Sequence, residues 1–226
     1  MAQRTRVTIP YLREKKAQGR PITMLTAYDF PIADIEEEIG IDIILCGDSL
    51  GMTVYGFSGT TPVTMELMIP HSAAVKRAAP NSFVIGDMPF MSYQASNEMA
   101  VLNAGRFLQE SGVDGVKLEG GEEMAERIRA ISRAGISVMG HIGLTPQSVS
   151  ALGGFKARGR DASSAIKLIN DAEFGPSVDS RLKELAARQM AAIRPSVIHG
   201  DFLACNEFDV MQRLAEINIP TLILCG

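Results

Sequence analysis

Four short apolar runs each stop at a residue able to do chemistry. Ile41–Cys46 leads through Gly47 into Asp48 and Ser49, Phe83–Gly86 into Asp87, Val116–Leu118 into Glu119, and Ser137–Gly140 into His141. Carboxylate oxygens of this kind suit Mg²⁺, a hard cation that keeps several waters and is held by one or two acids plus substrate oxygens. A softer metal would call for cysteines or clustered histidines, and neither is gathered near these runs. In Val116-Lys117-Leu118-Glu119 the strand period of two puts Lys117 and Glu119 on one face and the two apolar residues on the other. That charged face admits two readings, an internal ion pair that fixes strand register or one wall of a metal site. His141 is either a hydrogen-bonded core residue or an active-site group. Ser49 either stabilises its turn or donates to a ligand oxygen. Gly47-Asp-Ser-Leu-Gly51 also fits G-x-S-x-G, which would make Ser49 a hydrolase nucleophile. That reading needs a helix directly after the strand. Met52–Thr64, rich in Gly, Thr and Ser, predicts a long loop there instead.

The elements that must position these residues follow from punctuation and periodicity. A basic helix over Tyr11–Gln18 ends at Gly19, and the first strand is Ile22–Thr26. A helix over Ile32–Ile39, with Pro31 in its first turn, ends at Gly40. The Ile41–Cys46 strand, the long loop and a helix about Met65–Ala78 containing Pro70 come next, then a Pro80-Asn81 turn and the strand Phe83–Asp87. Ala100, Val101, Ala104, Phe107 and Leu108 mark one face of a helix that Gly112 ends, ahead of the strand Gly115–Glu119. Glu122 and Glu123 start a helix closed by Arg133 near Gly135, and Ser137–Gly140 is the fifth strand. A glycine-rich basic loop, Gly143–Arg160, and a helix at about Ala162–Ala172 complete this part. Apolar strands without strict alternation, separated by helices, predict a parallel α/β sheet buried on both faces. A doubly wound sheet and a (β/α)₈ TIM-type barrel both satisfy that pattern. The chemistry-bearing residues favour the barrel, because each stands at the C-terminal end of a different strand.

Composition limits the partners. A formal net charge of -4 with both signs interspersed offers no basic face for nucleic acid or an anionic membrane. No apolar run approaches the ~20 residues of a membrane span. The charged N-terminal stretch has no signal-peptide core. Cys46, Cys205 and Cys225 lie in apolar runs at wide spacing, as buried thiols of a reducing compartment do, so the sequence predicts a cytoplasmic protein.

From about Ile22 to Ala172 the chain resembles the ketopantoate hydroxymethyltransferase family. The motifs that carry the likeness are TAYD at Thr26–Asp29, GDSLGMTVYG at Gly47–Gly56, TTPVT at Thr60–Thr64, DMPFMSY at Asp87–Tyr93, VKLEGG at Val116–Gly121, GHIGLTPQS at Gly140–Ser148 and GGFKARGRD at Gly153–Asp161. The resemblance implies a Mg²⁺-dependent (β/α)₈ barrel forming a homo-oligomer, typically a decamer. It implies transfer of a hydroxymethyl group from 5,10-methylenetetrahydrofolate to the 2-oxo acid 3-methyl-2-oxobutanoate through a Mg²⁺-stabilised enolate, a step of pantothenate synthesis. Under it Asp48 and Asp87 are metal ligands, with Glu119 close to the metal. Ser49, Asp87 and Lys117 bind the keto acid, and His141 is a further active-site position.

The family's general base is a glutamate ending the sixth strand, in an apolar run such as Glu-Cys-Val-Pro. No such run follows Ala172, and neither Asp201 nor Glu207 sits in that motif, so no base is assigned. Residues 1–172 therefore divide off as barrel units one to five. Residues 173–226 are an atypical C-terminal segment offering at most two strands, which either completes the barrel loosely or leaves it incomplete. Arg194–Gly226 resembles the late part of an α/β-hydrolase, up to the strand before the triad acid. Two alternatives stand beside the transferase: a Mg²⁺ and keto-acid binding protein impaired in catalysis, and a serine hydrolase acting through Ser49.

Overall fold

A computed structural model describes residues 4–141 and 145–148. The elements in order are α1 (Ile9–Ala17), β1 (Met24–Thr26), α2 (Phe30–Ile39), β2 (Ile43–Cys46), α3 (Leu50–Thr53), α4 (Met65–Ala78), β3 (Phe83–Asp87), α5 (Asn97–Arg106), β4 (Gly115–Glu119), α6 (Ala125–Arg133) and β5 (Ser137–His141). A π-helical turn, Phe107–Ser111, extends α5, and 3₁₀ turns occupy Glu122–Met124 and Pro146–Ser148. The expected loop Gly143–Arg160 (save residues 145–148), the expected helix near 162–172, the segment 173–226 with its hydrolase resemblance, Cys205 and Cys225 lie outside the described residues.

The five strands form one sheet in the order β1-β2-β3-β4-β5, parallel in the ladders β1–β2, β2–β3 and β3–β4. Successive order with a helix after each of β1 to β4 is the winding of a (β/α)₈ barrel rather than of a doubly wound sheet, whose order reverses at a switch point. The described residues divide between two units, the first running to Leu118 and including Glu126–Met139, the second holding Glu119–Ala125 and the residues from Gly140.

In the first unit, side-chain alternation sorts the strands into two faces. Ile43, Leu45, Phe83 and Ile85 pack with Val7 and Leu12 into one core cluster that also takes up Ile9 and Met24. Asp87 continues that face of β3, and its register partner Lys117 lies beside it on β4. Ile44, Cys46, Val84, Val116 and Leu118 turn the other way and are fully buried. Gly86 belongs to that opposite set, and its lack of a side chain is required: a Cβ there would stand 2.4 Å from Cδ1 of the buried Phe107. The close approach lets the π-helical turn after α5 pack directly on β3.

Helix starts follow the capping rule. Thr8, Asp29, Thr64 and Ser96 accept from the backbone N–H groups of Tyr11, Ile32, Leu67 and Met99. Gly40 closes α2 in the left-handed conformation, at φ 88°. Helix α4 runs unbroken through Pro70. The stretch expected as a loop from Met52 begins as a helical turn, because Gly47 and Asp48 carbonyls accept from the Leu50 and Gly51 N–H groups.

Glu36 of α2 is 6 % exposed, and its Oε2 has no hydrogen-bond partner. Burial pushes its carboxyl up from 4.5 to about 7. The folded chain thus retains a proton that the unfolded chain releases, so stability falls as pH rises between these values, with the full penalty above about 7. Glu36→Gln should be more stable than the parent by about 2 kcal/mol at pH 8, and equal to it within about 0.5 kcal/mol at pH 4.5. Urea unfolding at the two pH values measures this. An equal difference at both would show that the carboxyl is not the titrating cause.

Candidate active site

Strand ends β2 and β3 bring two acids together. Asp48 is 3 % and Asp87 1 % exposed, and the Asp48 backbone N–H donates to Asp87 Oδ2 at 3.1 Å. Lys117, also buried, donates from Nζ to the same Oδ2 at 3.0 Å. The other oxygen, Asp87 Oδ1, is buried without a hydrogen-bond partner. Burial drives the Asp87 carboxyl well above the usual carboxylate range. The Lys117 ammonium pulls it back and the Asp48 charge pushes it further up. Lys117 therefore pairs across the sheet with the acid on the neighbouring strand, an arrangement that agrees with the expected reading of an internal ion pair fixing strand register.

The space beside this pair is kept open by a glycine. A Cβ on Gly47 would lie 2.9 Å from Ser49 Oγ and 3.8 Å from Asp87 Oδ2. The Ser49 side chain makes no cap hydrogen bond to α3, while its carbonyl accepts from the Met52 and Thr53 N–H groups. Its Oγ is 2.9 Å from the Tyr28 hydroxyl. A nucleophile elbow would hold the serine in a sharp, strained turn. Although α3 does follow the strand directly, Ser49 has relaxed helical angles, φ −56° and ψ −15°, and the partner of its hydroxyl is a phenol rather than an imidazole.

The second unit holds the other two expected residues. Glu119 and His141 are buried, with His141 Nδ1 3.4 Å from Glu119 Oε1 and without a hydrogen bond. Glu119 Oε2 accepts from the Gln147 backbone N–H at 3.0 Å. Among the described residues no group of three or more His, Cys, Asp or Glu side chains gathers as a metal site. Asp48 and Asp87 stand together in one unit, and Glu119 is described with His141 in the other. The Cys46 thiol is no rival nucleophile, since complete burial pushes it up to about 12.

A model of the ketopantoate hydroxymethyltransferase family matches residues 6–175. The chain belongs to the ketopantoate hydroxymethyltransferase family. Relatives named 3-methyl-2-oxobutanoate hydroxymethyltransferase include that of Carboxydothermus hydrogenoformans, 56% identical over 168 residues, which are 74% of this chain and 61% of the relative. That of Moorella thermoacetica is 54% identical over 223 residues, 98% of this chain and 76% of the relative. The chain spans 57% to 61% of the length of three such curated relatives. A solved structure of phosphonopyruvate hydrolase in complex with oxalate and Mg²⁺ matches with a TM-score of 0.53 at 12% identity, over 91% of this chain and 89% of that one. This last likeness is one of fold, and it agrees with the barrel winding of this ketopantoate hydroxymethyltransferase family member. Among the described residues no helix is long and apolar enough to cross a membrane.

Sequence reasoning missed two groups at this site, Tyr28 and His71. Tyr28 lies two residues beyond the end of β1, the same strand-end position that singled out the acids. His71 sits inside α4, where spacing gives no signal of a role.

Proposed function

We propose that this chain transfers a hydroxymethyl group from 5,10-methylenetetrahydrofolate to 3-methyl-2-oxobutanoate, with Mg²⁺ at Asp48 and Asp87, as a cytoplasmic homo-oligomer of the decameric kind. Family membership supports the reaction, and one observation carries the site: Asp87, almost fully buried, has one oxygen fixed by Lys117 and the Asp48 N–H and the other without a hydrogen-bond partner.

The residues present fit a hard dication. The donors are carboxylate oxygens, Oδ1 of Asp87 has no hydrogen-bond donor, and Gly47 leaves room beside them. When bound, Mg²⁺ supplies Lewis-acid polarisation of the 2-oxo group and so acidifies the neighbouring C–H. Asp48 and Asp87 hold the cation, and Lys117 keeps Asp87 oriented while offering positive charge to the substrate carboxylate. Ser49 donates a hydrogen bond to a substrate oxygen. Glu119 and His141 form a second acid and imidazole pair, with His141 assigned to proton handling or substrate contact.

The reaction separates from mere binding by hydrogen exchange. With Mg²⁺ in D₂O, the C3 hydrogen of 3-methyl-2-oxobutanoate should exchange in the presence of the chain without folate, as followed by proton NMR. Measurable keto-acid binding without exchange would replace the enzyme by the catalytically impaired binding protein.

A further inference from the structure

Behind Ser49 runs a chain of hydrogen bonds that crosses three segments of the first unit. The Tyr28 hydroxyl meets Ser49 Oγ at 2.9 Å. The Tyr28 backbone carbonyl meets His71 Nδ1 at 2.5 Å. His71 Nε2 meets the Tyr55 hydroxyl at 2.9 Å. Tyr55 in turn stacks on Phe57, at 5.7 Å between centroids and 21° between planes, and meets the His71 ring edge-on at 81°.

The roles of these atoms follow from what each can do. A carbonyl oxygen only accepts, so His71 Nδ1 carries hydrogen; in the neutral ring Nε2 then accepts, and Tyr55 donates to it. That assignment satisfies both ring nitrogens and fixes the imidazole plane. A fixed imidazole holds the Tyr28 backbone at the C-terminal end of β1, and the Tyr28 side chain reaches from there to Ser49. Between two hydroxyls only one hydrogen lies in the shared bond. With Tyr28 as donor, the Ser49 hydrogen is directed outward, and the donated bond makes it a better donor. Ser49 has no cap bond to α3 competing for its hydroxyl.

We infer that Tyr28 is a further substrate-side residue that aims the Ser49 hydroxyl at an oxygen of the 2-oxo acid, and that His71 is the positioning residue that holds Tyr28 in place. The inference rests on the reading of Ser49 as a keto-acid contact. It also accounts for the aromatic residues of the segment after α3, since Tyr55, itself stacked on Phe57 and 42% exposed, meets the imidazole edge-on.

The test is calorimetric titration of 3-methyl-2-oxobutanoate into the full chain with saturating Mg²⁺. Tyr28→Phe, which deletes only the hydroxyl, should weaken binding about fivefold to tenfold, the scale of one hydrogen bond. His71→Ala should weaken it about fivefold, and His71→Asn, whose amide N–H can replace Nδ1–H toward the Tyr28 carbonyl, should recover it to within about twofold. His71→Gln, which imitates the Nε2 side, should not. A merely structural His71 would move the unfolding midpoint without this split between Asn and Gln. Unchanged affinity in Tyr28→Phe, or equal behaviour of the two amide variants, overturns the inference while leaving the keto-acid site intact, provided Asp87→Asn still abolishes binding. No binding by the parent chain overturns the site and the inference together.

Discussion

Asp87→Asn is expected to abolish cation binding and to make the metal-free chain less stable. The substitution keeps the shape of the side chain and an oxygen able to accept from Lys117 and the Asp48 N–H, so the strand ends need not move. It removes the negative charge that burial disfavours but that the buried Lys117 ammonium faces. Affinity for Mn²⁺, a paramagnetic stand-in for Mg²⁺ read by electron paramagnetic resonance, should fall at least about 30-fold, on the scale of 2 kcal/mol or more for contacts to charged groups. Stability without metal should fall by about 2 kcal/mol or more, because the buried Lys117 ammonium loses the carboxylate charge it faces at 3.0 Å. Unchanged Mn²⁺ affinity would make the strand-end acid structural.

Lys117→Met should likewise destabilise the metal-free chain. Removing one partner of a buried ion pair leaves an uncompensated charge and costs about 3 kcal/mol or more, whereas removing both members costs far less. The double variant Asp87→Asn with Lys117→Met should therefore recover most of the loss in urea unfolding, a coupling that the cycle of single and double variants isolates. Mg²⁺ should narrow the deficit of Lys117→Met alone, since a cation at Asp87 replaces part of what the ammonium supplied. Additive losses in the cycle would show that the 3.0 Å contact carries no coupling.

These two experiments address the part of the site that the residues disclosed least. Strands β3 and β4 were legible to the residue, because each apolar run is bounded by a turn signal before it and a charged group at its end. The face shared by Lys117 and Glu119 was legible from the period of two. That Lys117 meets Asp87 was not, because the contact depends on the register Asp87↔Lys117 between strands 30 residues apart. The short helix α3 was missed because Gly and β-branched residues argue against a helix locally, and the turn forms from backbone carbonyls at the strand end instead. The π-helical turn after α5 was read as ordinary helix, since Ala104, Phe107 and Leu108 continue the helical spacing of Ala100 and Val101 into it. The contact of His71 with the Tyr28 carbonyl spans 43 residues and lies beyond any local pattern.

The (β/α)₈ reading drew on the strand ends before any strand order was known, and the order β1 to β5 agrees with it. The assignment of Glu119 to the metal stays a proposal, with the acid described beside His141.

The central claim is that Asp48 and Asp87 bind a 2-oxo acid only through a divalent cation. Titration of 3-methyl-2-oxobutanoate into the chain, with Mg²⁺ and again after chelation, measures it directly. Saturable binding with Mg²⁺ and at least about 30-fold weaker binding without it is the expected result. Equal affinity in both conditions would contradict the account.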